Sequence, residues 1–176
     1  LWRLRRLGLE KEIERVSLSL HDTVAIRKTL TAFSPDEIYY LAGPSSVAAS
    51  FREPMVSMDQ IFQPVVTFLE VLRDTQSSAH FFNAASTDCF GNQPGVLLDE
   101  TSSLQPLSPY AVAKSAAFWM VKNYRESFGV KASNGILTNH ESPLRGPDFV
   151  TQKIITGLLA IAAGRGKTLS LGSTAI

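Results

Sequence analysis

His80-Phe-Phe-Asn-Ala-Ala-Ser86-Thr-Asp88 and, after a run rich in Gly, Pro and Ser, Ser108-Pro-Tyr-Ala-Val-Ala-Lys114 are the two stretches on which the reading of this chain turns. The first is an apolar run of strand length that ends in small polar residues. The second opens a helix: Ser108 can cap it, Pro109 fits its first turn, and Gly129 can end it after Phe128. Strand followed by helix is the order that the rest of the chain repeats.

Upstream, Leu1 to Arg15 reads as the end of a helix and a linker. Its basic residues Arg3, Arg5, Arg6, Lys11 and Arg15 are interleaved with Leu, Trp and Glu, as on a solvated helix face. Val16-Ser-Leu-Ser-Leu20 alternates and predicts a short strand. Asp22 can cap a helix from Thr23 to about Phe33, with Val24, Ile26 and Leu30 turned inward. Ser34-Pro-Asp36 is a turn, and Glu37 to Ala42 a buried strand. A helical stretch from about Met55 to Thr75 carries Pro64, which predicts a kink or restart.

Downstream, Phe118, Trp119, Met120 and Val121 are the packing candidates of the Tyr110 helix. Lys131 to Asn139 predicts a strand, Val150 to Ala163 a helix, and Thr168 to Leu171 a short strand. This alternation predicts a doubly wound, Rossmann-like α/β fold with a parallel sheet. Ligands of such sheets sit beyond the carboxyl ends of the strands. Gly43 to Ser46, Ser86 to Asp88, and Asn139-His140 fall at those ends.

Composition narrows the function classes. The chain has 176 residues, 44% hydrophobic and 19% charged, with a net charge of +1. It can hold a real core, and no strong field draws nucleic acid or an anionic membrane. Cys89 is the single cysteine, which excludes an internal disulfide and suits a reducing cytoplasm. No apolar run is long enough to span a bilayer. Two phosphate motifs fail: Gly164-Arg-Gly-Lys-Thr168 lacks the P-loop glycine at Ile161, and G-x-G-x-x-G ends on Leu169.

Tyr110 and Lys114 are four apart, hence on one helix face. A free tyrosine has a pKa of about 10. An ammonium ~4 Å away at an effective dielectric of ~20 favours phenolate by up to ~4 kcal/mol, at most about three pKa units. Tyr110 so tuned could act as a base near neutral pH. Hydride chemistry at an alcohol also needs a donor that holds the oxygen, a role open to Ser86. Asp88 is then left over, which points to an extra proton-transfer step. Two plainer readings remain open: a surface lysine beside a half-buried tyrosine, and a strand-end turn capped by its own side chains.

Longer stretches carry a resemblance. They are Pro35 to Ala42, Ser45 to Phe51, Ala85-Ser-Thr-Asp-Cys-Phe-Gly91, Ser108 to Lys114, Asn123-Tyr-Arg-Glu126, Gly135-Ile-Leu-Thr-Asn-His-Glu-Ser-Pro-Leu-Arg-Gly146, and Phe149 to Ile154. In these the chain resembles the GDP-mannose 4,6-dehydratase family of extended short-chain dehydrogenases/reductases. The Asn-His-Glu-Ser-Pro segment separates that family from epimerases and other sugar dehydratases.

The resemblance implies oxidation of GDP-mannose at carbon 4, loss of water across carbons 5 and 6, and hydride return to carbon 6. It implies catalytic roles for Ser86, Asp88, Tyr110 and Lys114. It implies cofactor contacts at Leu41, Ala42, Gly43, Pro44, Ser45, Lys114, His140 and Arg145, and substrate contacts at Asn139 and Lys153. The cofactor is expected to be NADP, with NAD as the alternative, and no metal, nucleic acid or membrane is expected. Homo-oligomers are expected of the complete protein. In other readings His140 caps its strand, and Arg145 pairs with Glu141 or Asp148.

Some positions depart from the family pattern. Asp88 stands where Glu is usual and is one methylene shorter. Ser46 replaces a common His, Val56 a common Tyr, and Ser19 a common Asp near the adenine. The family's first strand and Gly-rich turn would precede Leu1, so a fragment is expected. Residues 1–139 would be a truncated dinucleotide-binding domain, and 140–176 the start of a substrate-binding part. Other functions kept open are a related nucleotide-sugar epimerase or reductase, and a non-catalytic fragment.

Overall fold

β2 (His80–Ser86) is the central strand of a parallel sheet, flanked by β1 (Glu37–Tyr40) and β3 (Ala132–Leu137). The computed structural model describes residues 2–147 and 149–171. They fall into two units: Val16–Thr138, which holds the sheet, and Leu1–Arg15 with Asn139–Ile176. The α/β class expected from the alternation is the one observed, with Tyr40 opposite Asn83 and Asn83 opposite Asn134.

Parallel neighbours need crossovers, and helices supply them. Between β1 and β2 run α3 (Val47–Arg52), α4 (Pro54–Ser57) and α5 (Gln63–Asp74); α6 (Pro109–Phe128) joins β2 to β3. α2 (Thr23–Phe33) precedes β1. Tyr40, Phe81 and Ala132 share one core with Ile26, Val65, Phe68, Leu69, Leu72, Val121 and Tyr124. Each strand thus turns alternate residues toward α2, α5 and α6. On the other face the Phe82 ring lies so close over Gly135 that a Cβ there would sit 2.1 Å from its Cζ.

The caps are those expected. Asp22 accepts from Ala25 N at 2.9 Å, and Ser108 Oγ from Ala111 N at 3.1 Å. Gly129 closes α6 at φ 68°, in the left-handed region where a Cβ is unfavourable. Pro64 does interrupt its helix. It lacks the N–H that an α-turn would use, and the preceding turn, Met58–Phe62, is a π-helix.

Several local expectations fail. Val16–Leu20 forms no strand, although Leu18 and Leu20 do pack against the core. Alternation records which side chains face inward; it does not supply a strand to pair with. Residues 168–171 form no strand for the same reason. Val24 is 78% exposed and Trp119 52% exposed, whereas Ile26 and Val121 are fully buried. Val24, in the first turn of α2, and Trp119, midway along α6, lie outside the buried stripes of their helices.

In the second unit, α1 (Trp2–Leu7) and α7 (Val150–Ala162) contain no buried residue. Arg3 Nε donates to Leu144 O at 2.7 Å, and Gln152 Nε2 to Ser142 O at 3.0 Å. Gly157 lets Leu169 approach α7, where a Cβ would lie 2.6 Å from its Cδ1. No described helix is long and apolar enough to cross a membrane.

Candidate active site

Two elements of the sheet unit bring the expected chemistry together. β2 ends at Ser86, and a 3-10 turn, Thr87–Phe90, follows it directly. Ser86 Oγ accepts from Asp88 N at 3.2 Å and donates to Asp88 Oδ2 at 3.1 Å. The plainer reading of this segment is therefore also true: the turn is capped by its own side chains. The carboxylate of Asp88 is nonetheless exposed, while Ser86 is buried.

α6 presents Tyr110 and Lys114 from its first two turns, each only 8% exposed. Ser86 shares a hydrogen bond with the Tyr110 hydroxyl, so the strand end and the helix start meet at one point. Lys114 Nζ donates to Ala84 O at 2.8 Å and lies 5.9 Å from the Tyr110 ring centroid. Ser86, Asp88, Tyr110 and Lys114 are thus brought together as expected.

The expected tuning is not what this geometry produces. Burial pushes the Tyr110 phenol above the usual tyrosine value; the Ser86 hydrogen bond pulls it back, and negative charge on Asp88 and Cys89 adds to the rise. Burial likewise pushes the Lys114 ammonium down. The sequence estimate assumed an ammonium near the phenol oxygen in a wet environment. Here the amine is turned onto a strand carbonyl, and desolvation dominates both groups.

Leu41 to Ser45 follow β1, and all but Pro44 are exposed. Gly43 has φ 111°, and a Cβ there would meet Gln60 O at 3.2 Å and Ile61 Cγ1 at 3.5 Å. Ile61, on the π-turn, packs in turn against Tyr110 and Ala113. The sequence reading did not single out Ile61; the Pro64 signal three residues on was the pointer to it.

Asn139, His140, Arg145 and Lys153 lie in the other unit. Arg145 Nε is 3.4 Å from Glu141 Oε1, its guanidinium donates to His140 O, and it stacks 4.0 Å from the Phe149 ring centroid. The pairing of Arg145 with Glu141 is therefore present, and Asp148 lies outside the described residues. Lys153 is exposed on α7, its N–H donating to Phe149 O at 2.9 Å. Among the described residues no group of three His, Cys, Asp or Glu could hold a metal.

The model of the family described as GDP-mannose 4,6 dehydratase matches residues 2–176. A GDP-mannose 4,6-dehydratase of Vibrio cholerae is 38% identical over 97% of the chain and 48% of its own length. GDP-mannose 4,6 dehydratase 1 of Arabidopsis thaliana is 41% identical over 88% of the chain and 44% of its own length. The chain thus spans about half the length of these curated relatives. Among solved structures, a dTDP-glucose 4,6-dehydratase of Streptomyces venezuelae superposes over 90% of the chain and 48% of its own, with a TM-score of 0.81 and 21% identity. RMD of Pseudomonas aeruginosa complexed with NADPH gives 0.79 over 86% and 52%, at 22% identity. Likeness at that identity speaks for the fold alone.

Proposed function

The chain belongs to the GDP-mannose 4,6 dehydratase family, and from that premise we propose that it carries the catalytic centre of a nucleotide-sugar dehydratase acting on GDP-mannose. The observation that supports this most directly is the meeting of Ser86, Asp88, Tyr110 and Lys114 at the end of β2 and the start of α6. A dehydrogenase needs three of these groups; the elimination needs the fourth.

Tyr110 takes the proton of the carbon-4 hydroxyl while Ser86 holds that oxygen. A nicotinamide dinucleotide, NADP with NAD as the alternative, would supply the hydride acceptor and the returning hydride. The resulting ketone acidifies the carbon-5 hydrogen. Asp88 removes that proton and passes it to the carbon-6 hydroxyl, which departs as water; return of the hydride to carbon 6 and of the proton held by Tyr110 to carbon 5 gives GDP-4-keto-6-deoxymannose. Lys114 donates one bond to Ala84 and has two further N–H groups for a ribose hydroxyl.

The residues present fit such a cofactor. Gly43 takes φ 111° at the end of β1, a backbone conformation that side chains disfavour, and a Cβ there would press on Gln60 O at 3.2 Å. Leu41, Ala42, Gly43, Pro44, Ser45 and Lys114 would contact the dinucleotide, and the family pattern gives His140 and Arg145 as further cofactor contacts. Asn139 and Lys153 would contact the nucleotide-sugar phosphates. Homo-oligomeric assembly and a cytoplasmic location complete the reading, the latter in keeping with the free buried thiol of Cys89.

The test is incubation of the chain with GDP-mannose and NADP, then NAD, followed by mass spectrometry of the sugar nucleotide. Loss of one water with a new carbonyl is expected. Unchanged GDP-mannose under both conditions would refute catalysis by this chain.

A further inference from the structure

Two amides, that of Asn83 buried and that of Asn134 half-buried, form a relay across the sheet. Asn83 Nδ2 donates to Asn134 Oδ1 at 2.8 Å, and Asn134 Nδ2 donates to Phe118 O at 3.0 Å. Asn83 and Asn134 are register partners on β2 and β3. Their strand neighbours on the same face, Phe81 with Ala132 and Ala85 with Ile136, are apolar. Asn83 is 1% exposed, so its amide is costly there unless it is hydrogen-bonded. An apolar pair would fill the space without that cost.

The ends of the relay explain its place. Asn83 lies three residues before Ser86 on β2, and Phe118 lies one turn after Lys114 on α6. The relay therefore ties together the two elements that share the catalytic groups. Lys114 makes a second tie, to Ala84 O. That amine also offers its two further N–H groups to a ribose under the function proposed above. The amide relay uses no group that the chemistry consumes. Arg125, which donates to Ala132 O at 3.1 Å, acts at the far end of α6.

We propose that Asn134, backed by Asn83, is a positioning residue that sets α6 against β2, and so sets Tyr110 and Lys114 against Ser86 and Asp88. Its catalytic consequence rests on the dehydratase reading; its geometric consequence does not. Only a side chain that both accepts and donates can occupy the middle of the relay.

Asn134→Leu keeps the volume and removes both bonds. Asn134→Asp keeps the shape and the bond from Asn83, but its carboxylate cannot donate to Phe118 O. Each variant of the full chain is compared with the parent by thermal melting, by turnover of GDP-mannose, and by NMR with labelled lysine amines and tyrosine rings. Lys114 and Tyr110 are assigned from Lys114→Arg and Tyr110→Phe. Both Asn134 variants are expected to fold, to shift the Lys114 and Tyr110 signals, and to lose about 10²-fold in kcat with KM little changed. Signals at the parental positions and kcat within twofold would overturn the proposal. If the parent chain shows no turnover, the dehydratase reading fails while the NMR comparison still decides the positioning claim. If the Asn134 variants do not fold, Asn83→Leu, which leaves the Phe118 bond, takes their place: shifted signals support the relay, and unshifted ones overturn it.

Discussion

Asp88 carries its charge on a side chain one methylene shorter than glutamate, and its carboxylate rests on the Ser86 hydroxyl 3.1 Å away. A displacement of ~1 Å at a reacting group can cost ~10²-fold in rate. Asp88→Asn is expected to abolish loss of water while reduced nicotinamide still accumulates, read by its absorbance. Asp88→Glu is expected to speed dehydration. Asp88→Asn with unchanged dehydration would remove the elimination role from Asp88. Tyr40 shows a different residue-scale effect. Its hydroxyl is buried with no hydrogen-bond partner among the described residues, and burial pushes its phenol up to about 12. Because the folded pKa lies above the unfolded 10.0, this contribution to stability is complete below about pH 10 and is lost as pH rises through about 12. Tyr40→Phe is therefore expected to resist alkaline unfolding better than the parent. At neutral pH it should be equal or more stable, by up to about 1 kcal/mol. Urea titrations at neutral and alkaline pH read both effects; an alkaline loss as steep as the parent's would place its cause elsewhere.

At the scale of elements, the turn after β2 depends on one backbone position. Gly91 ends the 3-10 turn at φ 67°, and a Cβ there would lie 2.0 Å from Gln105 O. The returning loop is pinned at the same place by Gln105 N donating to Cys89 O at 2.8 Å. Gly91→Ala meets both the left-handed penalty and a backbone clash that no rotamer relieves. A loss of about 2 to 4 kcal/mol is expected by chemical denaturation. A loss under about 1 kcal/mol would mean that the loop does not hold this close approach. The π-turn at Met58–Phe62 was only half legible in the sequence. Pro64 announced an interruption, because proline brings no N–H wherever it stands. What the interruption does, seating Ile61 between Gly43 and Tyr110, depends on elements far away in the chain.

Across the whole molecule, burial is unevenly shared. β2 and α6 are rich in buried residues, whereas α1 and α7 contain none. Local opening free energy follows buried contacts. Amides in β2 and the middle of α6 are expected to exchange with solvent orders of magnitude more slowly than those of α7, measured by hydrogen exchange under native conditions. Equal protection of α7 would show that it is covered in solution. The apolar side chains of Ile155, Leu158 and Leu159, all exposed on α7, make that comparison informative.

The sequence by itself determined the order of β2 and α6 and the caps at Asp22, Ser108 and Gly129. These follow from local chemistry: which residues tolerate a strand, which oxygen can cap a helix, which backbone accepts a positive φ. Tertiary structure alone decided that Val16–Leu20 forms no strand, that Asn83 and Asn134 lie in register, and that Lys114 turns onto Ala84. It also reversed the expected direction of the Tyr110 shift. Desolvation depends on everything packed around a group, and a spacing of four on one helix contains none of that.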